Sequence, residues 1–156
     1  MKIAIAADHA GFPLKEEIHS YLEGSGQDVV DLGTYSPEPS DYADHAEAMG
    51  KVLQTGEAER GILFCGSGVG VCIAANKMRG IRASVCHDPY SAHQGVEHDD
   101  MNVLVLGARI VGPSLARELV ECFLHARFAV SEERFVRRLH KVQAIEKRNM
   151  KQASSS

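Results

Sequence analysis

The chain alternates between short apolar runs and longer amphipathic stretches up to about residue 150. The apolar runs predict five strands, over residues 2–8, 27–33, 61–65, 81–86 and 103–109. The stretches between them predict helices, over 12–24, about 42–55, 71–80, a segment capped by Asp88-Pro89, and 113–128. A last, basic helix is predicted over roughly 132–150, and the polar residues 151–156 are expected to be a disordered tail.

This alternation predicts the fold class. Strands that are apolar along most of their length, each followed by a helix, are typical of a parallel sheet covered on both faces. We therefore expect an α/β fold, a three-layer Rossmann-like doubly wound sheet of five parallel strands, in one domain over residues 1–150. Because no strand follows the last helix, we expect that helix to reach toward a partner subunit.

Composition narrows the class of protein. With 156 residues, 44% of them hydrophobic, the chain is long enough to bury one aliphatic core. A net charge of -4 argues against a general binder of nucleic acid, and no apolar run is long enough to span a bilayer. Asp8 interrupts the first apolar run too early for a signal peptide, so a cytoplasmic location is expected. The cysteine and histidine spacings match no metal site, and we predict no metal.

The predicted sheet gathers the residues with chemical potential at one edge. In open parallel sheets, ligands bind beyond the carboxyl ends of the strands. The residues that directly follow a predicted strand in this chain are Asp8, His9, Cys65, Gly66, Ser67, His87 and Arg109. The sequence therefore places a candidate site at this edge.

The loop behind Cys65, within FCGSGVGVCIAANK, fits none of the familiar phosphate-binding signatures. Val71 stands where a dinucleotide fingerprint has its third glycine and where a cysteine phosphatase has its arginine. A P-loop needs lysine followed by serine or threonine, and that pair is absent from the sequence here. Closely spaced backbone N–H groups at a helix start nevertheless favour an anion. A tight strand-to-helix turn with glycines for close packing is the plainer explanation, and both stay open.

Cys65 adds a reactive group to this loop. A cysteine at a helix N-terminus has its thiolate favoured, so we expect a lowered pKa. A thiolate beside a loop that stabilises an oxyanion suits proton abstraction next to a carbonyl. It suits nucleophilic attack equally well.

The C-terminal region supplies a candidate phosphate clamp. Arg134 and Arg138 lie four residues apart on a predicted helix and share one face, and Arg109 lies at a strand end. Arginine binds phosphate bidentately, although a solvated basic helix face is the alternative. His98 is a candidate acid or base near neutral pH, and a surface histidine is the alternative for it.

Several motifs in order resemble those of ribose-5-phosphate isomerase type B, whose wider family includes allose-6-phosphate and galactose-6-phosphate isomerases. They are DHAGFPLK, SDY, GILFCGSGVGVCIAANK, GIRA, PYSA, NVLVLGARIVG and the late arginines, and they extend over about residues 2–148. The resemblance implies an aldose–ketose isomerase that interconverts D-ribose 5-phosphate and D-ribulose 5-phosphate through a cis-enediolate. It also implies a homodimer or homotetramer with sites shared between subunits, and no cofactor.

The resemblance also implies a role for individual residues. Cys65 matches the base that moves a proton between C2 and C1, and His98 matches a histidine that assists ring opening. The loop that holds the developing oxyanion corresponds to Gly66, Ser67, Gly68, Val69 and Gly70. Sugar- or phosphate-contacting positions correspond to Asp8, His9, Tyr42, Arg109, Arg134 and Arg138.

One position departs from many relatives, and two other functions stay open. Asp99 stands where many relatives have asparagine, and it is kept as a candidate substrate contact. The same chemistry on a six-carbon sugar phosphate is the first alternative. A non-catalytic module that binds a sugar phosphate or a nucleotide is the second, and it would leave Cys65 and His98 without a role.

Overall fold

A computed structural model describes residues 1–150; the predicted disordered tail, residues 151–156, lies outside the described residues. Strands and helices alternate until the last two helices, which follow each other directly. The elements are β1 (Lys2–Ala7), α1 (Phe12–Gly24), β2 (Asp28–Asp31), α2 (Tyr42–Gln54), β3 (Arg60–Cys65), α3 (Val69–Ala75), β4 (Ala83–Val85), α4 (Pro89–Asp99), β5 (Val103–Gly107), α5 (Pro113–His125) and α6 (Glu133–Asn149).

The strands form one parallel sheet in the order β2-β1-β3-β5-β4. The predicted α/β fold with five parallel strands is confirmed. Because β1, β3 and β5 are neighbours in the middle of the sheet, the residues that follow them meet at one edge.

Helices cover both faces of the sheet because successive side chains of each strand point to opposite faces. Ile62 and Phe64 join a buried cluster with residues of α1, α4 and α5. Leu63 and Cys65 join a second cluster with residues of α2 and α3. The strand pattern therefore fixes the face from which the Cys65 side chain projects.

The third helix differs from its prediction over residues 71–80. It begins at Val69 and ends at Ala75, so it includes part of the glycine loop and excludes Lys77 and Arg79. The Asn76 side chain bonds both backbone groups of Ala83, at 2.8 and 2.9 Å, and this contact ends the helix.

Several other elements are shorter than predicted, and the second strand, predicted over 27–33, covers only Asp28–Asp31. The fourth strand covers Ala83–Val85 because the Arg82 N–H is taken by the side chain of Asn102, at 2.8 Å. The fifth strand ends at Gly107, and the next two amides bond the carbonyls of Cys65, the last residue of β3, and Gly66. The helix predicted over 113–128 ends at His125, where the Arg60 guanidinium binds the freed carbonyls of Phe123, Leu124 and Ala126.

The last helix is strongly amphipathic and packs through Phe135 and Leu139 against the rest of the chain. Its far end returns to the turn before β4, where the Glu146 carboxylate accepts the Gly80 N–H at 2.8 Å. Over residues 1–150, the structure contains no helix that combines the length and the apolar character needed to cross a membrane.

Candidate active site

The ends of β1, β3 and β5 enclose a cavity of about 370 Å³ at the carboxyl edge of the sheet. Six of the residues singled out from the sequence contribute to its wall, together with Ala10 and Ile110. These six are Asp8, His9, Cys65, Gly66, Ser67 and Arg109. The cavity therefore combines a thiol, a carboxylate, an imidazole and a guanidinium.

The thiol of Cys65 and the carboxylate of Asp8 form a buried pair. Cys65 Sγ donates to Asp8 Oδ2 at 3.3 Å, and the two residues are 8% and 5% exposed. The other carboxylate oxygen of Asp8 accepts the Gly11 N–H at 3.0 Å. The carboxylate is thus fixed in place and is positioned to accept the thiol proton.

The turn after β1 can carry Asp8 so close to β3 because residue 11 is glycine. A Cβ on Gly11 would lie 2.4 Å from the carbonyl carbon of Phe64 and 2.7 Å from the Cys65 nitrogen. The Asp8 N–H also donates to the Phe64 carbonyl, at 3.3 Å. Direct backbone contact between the two strand ends therefore sets the distance from Asp8 to Cys65.

The glycine loop divides into two parts. Gly66 and Ser67 line the cavity, and the Ser67 hydroxyl accepts the Val69 N–H at 3.2 Å. Gly68 directly precedes α3 with φ +85°, a left-handed conformation that favours glycine, and a Cβ there would lie 3.1 Å from Val105. Gly66 and Ser67 therefore form part of the cavity wall, whereas Gly68 forms the turn into α3.

Val69, Gly70 and Tyr42 lie outside this cavity in the described chain. Val69 is 54% exposed. The Tyr42 ring covers Gly70, where a Cβ would lie 2.9 Å from the ring. Tyr42 thus reaches the loop by packing on it.

His9 is oriented by the loop between β2 and α2. Its Nδ1 accepts the Ser40 N–H at 3.2 Å, so the neutral ring carries its proton on Nε2. The Ser40 hydroxyl lies 3.1 Å from Nε2 of His45, and burial lowers the pKa of His45. Within residues 1–150 the Nε2 N–H of His9 has no acceptor, so it is available to an anion.

Arg109 supplies positive charge at the cavity mouth. Its backbone N–H donates to the Gly66 carbonyl at 3.0 Å, and its exposed guanidinium lies beside Gly66. A phosphate in the cavity would meet this guanidinium and the His9 ring together.

The remaining predicted residues form a second group, away from the cavity. His98 stacks on Phe135 with ring centroids 4.0 Å apart, and its Nδ1 lies 2.9 Å from the Gln94 amide nitrogen. Arg134 lies over the same Phe135 ring, at 4.7 Å. Arg134 and Arg138 are both exposed on α6. Within one described chain, the two groups do not meet.

Asp99 lines a separate cleft of about 560 Å³ between β4, α4 and α6. Its carboxylate is exposed and lies 3.4 Å from the Gln94 amide nitrogen. Asp99 thus shares with His98 a contact to Gln94, and it lies outside the cavity at the strand ends.

Lys15 was not singled out from the sequence, although it is fully buried. Its Nζ lies 2.6 Å from Asp31 Oδ2 and between the rings of Phe12 and Tyr35, at 5.6 and 5.3 Å. The sequence feature that could have identified Lys15 is its position on the apolar face of the first helix, beside Leu14 and Ile18. Asp31 in turn accepts the Gly33 N–H at 2.9 Å and so stabilises the loop that follows β2.

Three side chains of types that can bind a metal ion lie around Lys15, although the histidine spacing in the sequence did not predict such a cluster. Glu16, His19 and Asp31 have side-chain atoms within 4.8 Å of one another. The Lys15 ammonium already contacts two of them, at 2.9 Å for Glu16 and 2.6 Å for Asp31. These carboxylates therefore have a cation within the protein.

Comparisons with known proteins show what this chain is similar to in sequence and in structure. The sequence profile of the Ribose/Galactose Isomerase family matches residues 3–142. The ribose-5-phosphate isomerase B of Escherichia coli is 46% identical over 94% of this chain and 97% of its own length. The D-erythrulose-4-phosphate isomerase of Pectobacterium atrosepticum is 44% identical over 82% of this chain and 85% of its own length. The structure of Clostridium thermocellum ribose-5-phosphate isomerase B superposes with a TM-score of 0.92, at 44% identity, over 95% of this chain and 99% of that one.

Proposed function

The chain belongs to the ribose/galactose isomerase family, and on that premise we propose that it interconverts D-ribose 5-phosphate and D-ribulose 5-phosphate. The observation that carries this proposal is the Cys65–Asp8 pair, buried in a cavity whose mouth carries Arg109. A base next to an acidic carbon and a cation for a phosphate are what this reaction requires. Residues 1–150 would form one isomerase domain, with a cytoplasmic location.

Cys65 acts as the base once Asp8 has taken the thiol proton. The thiolate removes the proton from C2 of the open-chain aldose, the C1=C2 bond forms, and negative charge moves to O1. Cys65 then returns the proton to C1, while a proton passes from O2 to O1 and C2 becomes the carbonyl. The products contain the same atoms and electrons as the substrate, so no cofactor takes part.

The wall of the cavity stabilises this intermediate. Gly66 and Ser67 lie beside Cys65 on the same loop, where backbone donors meet the enediolate oxygens. His9 and Arg109 hold the phosphate at the other end of the sugar. The remainder of the loop and the ring that packs on it keep these two residues in place; they are Gly68, Val69, Gly70 and Tyr42.

The second group of residues completes the cavity of a neighbouring subunit. His98, which assists ring opening, lies with Asp99, Arg134 and Arg138 on α4 and α6. Exposed apolar side chains near the glycine loop, Val69, Ile73 and Ile110, are suited to such contact between two chains. We infer a homodimer or homotetramer in which each site takes residues from two subunits.

The experiment is a turnover assay with a panel of aldose phosphates that have four, five and six carbons. The largest kcat/KM is expected for ribose 5-phosphate. A larger value for the four-carbon substrate would assign the activity named for the Pectobacterium relative, and one for a six-carbon substrate would assign the hexose alternative. No turnover of any of them, together with tight nucleotide binding, would overturn the isomerase and favour a binding module.

A further inference from the structure

His87 lies two residues past the end of the short edge strand β4 and has no part in the chemistry above. Its Nε2 accepts the backbone N–H of Gly107 at 3.0 Å. Gly107 is the last residue of β5, the strand that runs between β4 and β3. A side chain just past one strand thus binds the backbone of the neighbouring strand at the carboxyl edge.

The imidazole continues the hydrogen bonding between β4 and β5 beyond the end of β4. The Val103 N–H bonds the Arg82 carbonyl, at 3.3 Å, so the N–H groups of alternate β5 residues face β4. In this alternation the next residues after Val103 are Val105 and Gly107. At the level of Gly107 the backbone after β4 has already turned toward α4 and offers no acceptor. His87 provides the acceptor that this buried N–H would otherwise lack.

The Gly107 amide is the first of three successive amides at the end of β5 and just past it. The next two, from Ala108 and Arg109, donate to the carbonyls of Cys65 and Gly66 at 2.8 and 3.0 Å. A rotation of the Gly107 peptide would therefore move both of these bonds. His87 is the group that holds this peptide from the side of β4.

Gly107 also touches the glycine loop directly. A Cβ on Gly107 would lie 2.6 Å from the Ser67 carbonyl oxygen, and a Cβ on Gly68 would lie 3.4 Å from the Gly107 nitrogen. Such close packing allows the loop and the end of β5 to move only together.

We propose that His87 is a positioning residue of the active site, whose neutral imidazole holds Gly107 and thereby the loop that carries Cys65, Gly66 and Ser67. This proposal rests on the isomerase function proposed above. Because the loop stabilises charge that develops during the reaction, loss of His87 lowers kcat and leaves KM nearly unchanged.

Acidification removes this contact, since a protonated ring presents an N–H where Gly107 already donates one. Burial lowers the pKa of His87, and the neighbouring Asp88 carboxylate partly raises it. The Ser91 N–H, at 2.7 Å, lowers the pKa of Asp88 and keeps that group charged, while β5 presents only the uncharged amide. The contact is thus intact above pH about 6.5 and is lost as the pH falls through the lowered pKa.

The test compares His87→Gln, which keeps an acceptor near the Nε2 position without titrating, with His87→Leu, which has none. His93→Leu, on the exposed face of α4, is the matched control. We expect kcat within about threefold of wild type for His87→Gln and a fall of about 10- to 100-fold for His87→Leu, with little change in KM. The ratio of wild-type to His87→Gln kcat should stay constant above pH about 6.5 and fall below it.

Equal kcat values for the Gln and Leu variants, or a ratio that does not vary between pH 8 and 5, would overturn the proposal. Nitrogen-15 NMR of histidine-labelled protein provides a readout that does not depend on activity. It should show His87 with its proton on Nδ1 at neutral pH, and a proton on Nε2 would overturn the proposal even in an active enzyme. Failure of the isomerase assay with wild-type protein would instead count against the proposed function, and the NMR result would then decide on His87 alone.

Discussion

At the residue scale, the site depends on the two hydrogen bonds of Asp8. One oxygen accepts the Cys65 thiol and the other accepts the Gly11 amide, so one carboxylate has both a chemical and a structural task. These two tasks are separable by substitution, because asparagine keeps an acceptor oxygen and loses the charge.

Asp8→Asn should lower kcat by about 100-fold, because an amide cannot take the thiol proton. Its free energy of unfolding should stay close to that of wild type, since the amide oxygen still serves Gly11. Asp8→Ala should lose kcat equally and also lose about 1 kcal/mol of stability, because the Gly11 N–H loses its bond to the carboxylate and keeps only the one to the Asp8 backbone carbonyl, at 3.2 Å. Steady-state kinetics and urea unfolding measure the two effects, and wild-type kcat in Asp8→Asn would contradict the assignment.

At the element scale, the structure depends on how closely β1, α1 and β3 approach one another. Gly11 permits backbone contact between the turn after β1 and the end of β3. Lys15 joins the first turns of α1 to the end of β2 through Asp31. The contact at Gly11 determines where Asp8 lies relative to Cys65.

Gly11→Ala should destabilise the protein by about 2 kcal/mol or more, because the added Cβ overlaps the backbone of Phe64 and Cys65. Gly24→Ala is the matched control at the other end of α1, where nothing lies within 4 Å of an added Cβ. That variant should change the free energy of unfolding by less than about 1 kcal/mol. Equal effects in the two variants would show that the close approach at Gly11 is not required.

Lys15→Met should cost about 2–4 kcal/mol, because it leaves the largely buried Asp31 carboxylate without its cation. The double variant with Asp31→Asn should recover part of this loss, since it also removes the uncompensated charge. Urea unfolding of the single and double variants gives the coupling energy. Strictly additive losses would mean that the two groups do not interact.

Much at this scale could be predicted from the sequence. Apolar runs and capping residues located each element, because burial on both faces imposes continuous apolar strands and helix ends need particular residues. The limits of the third helix could not be predicted, since the Asn76 contact with Ala83 joins residues brought together by folding. Lys15 was missed for the same reason, because its partner Asp31 lies on β2 and Tyr35, one of its two aromatic neighbours, lies on the loop after β2.

At the scale of the whole molecule, the predicted site residues form two groups in one chain. Position after a strand was a sufficient signal for Asp8, Cys65 and Arg109, because parallel topology brings strand ends together. No such rule places His98 or the α6 arginines, whose proposed task depends on a second copy of the chain.

A mixture of Cys65→Ala and His98→Ala proteins tests this shared site. Each variant alone should be nearly inactive. If every site takes Cys65 from one subunit and His98 from the other, half of the randomly mixed dimers carry one intact site. Unfolding and refolding the two variants together should then restore about a quarter of wild-type activity. No recovery in dimers shown to be mixed would place both residues in one subunit.

The central claim is that the Cys65 sulfur carries the proton between C1 and C2, and kcat of Cys65→Ala tests it most directly when measured beside substrate binding by calorimetry. Turnover of ribose 5-phosphate should fall by about 100- to 10,000-fold while the dissociation constant stays within a few-fold of wild type. Cys122→Ala, on α5 and away from the cavity, should match wild type in both measurements. Wild-type turnover in Cys65→Ala would contradict the account.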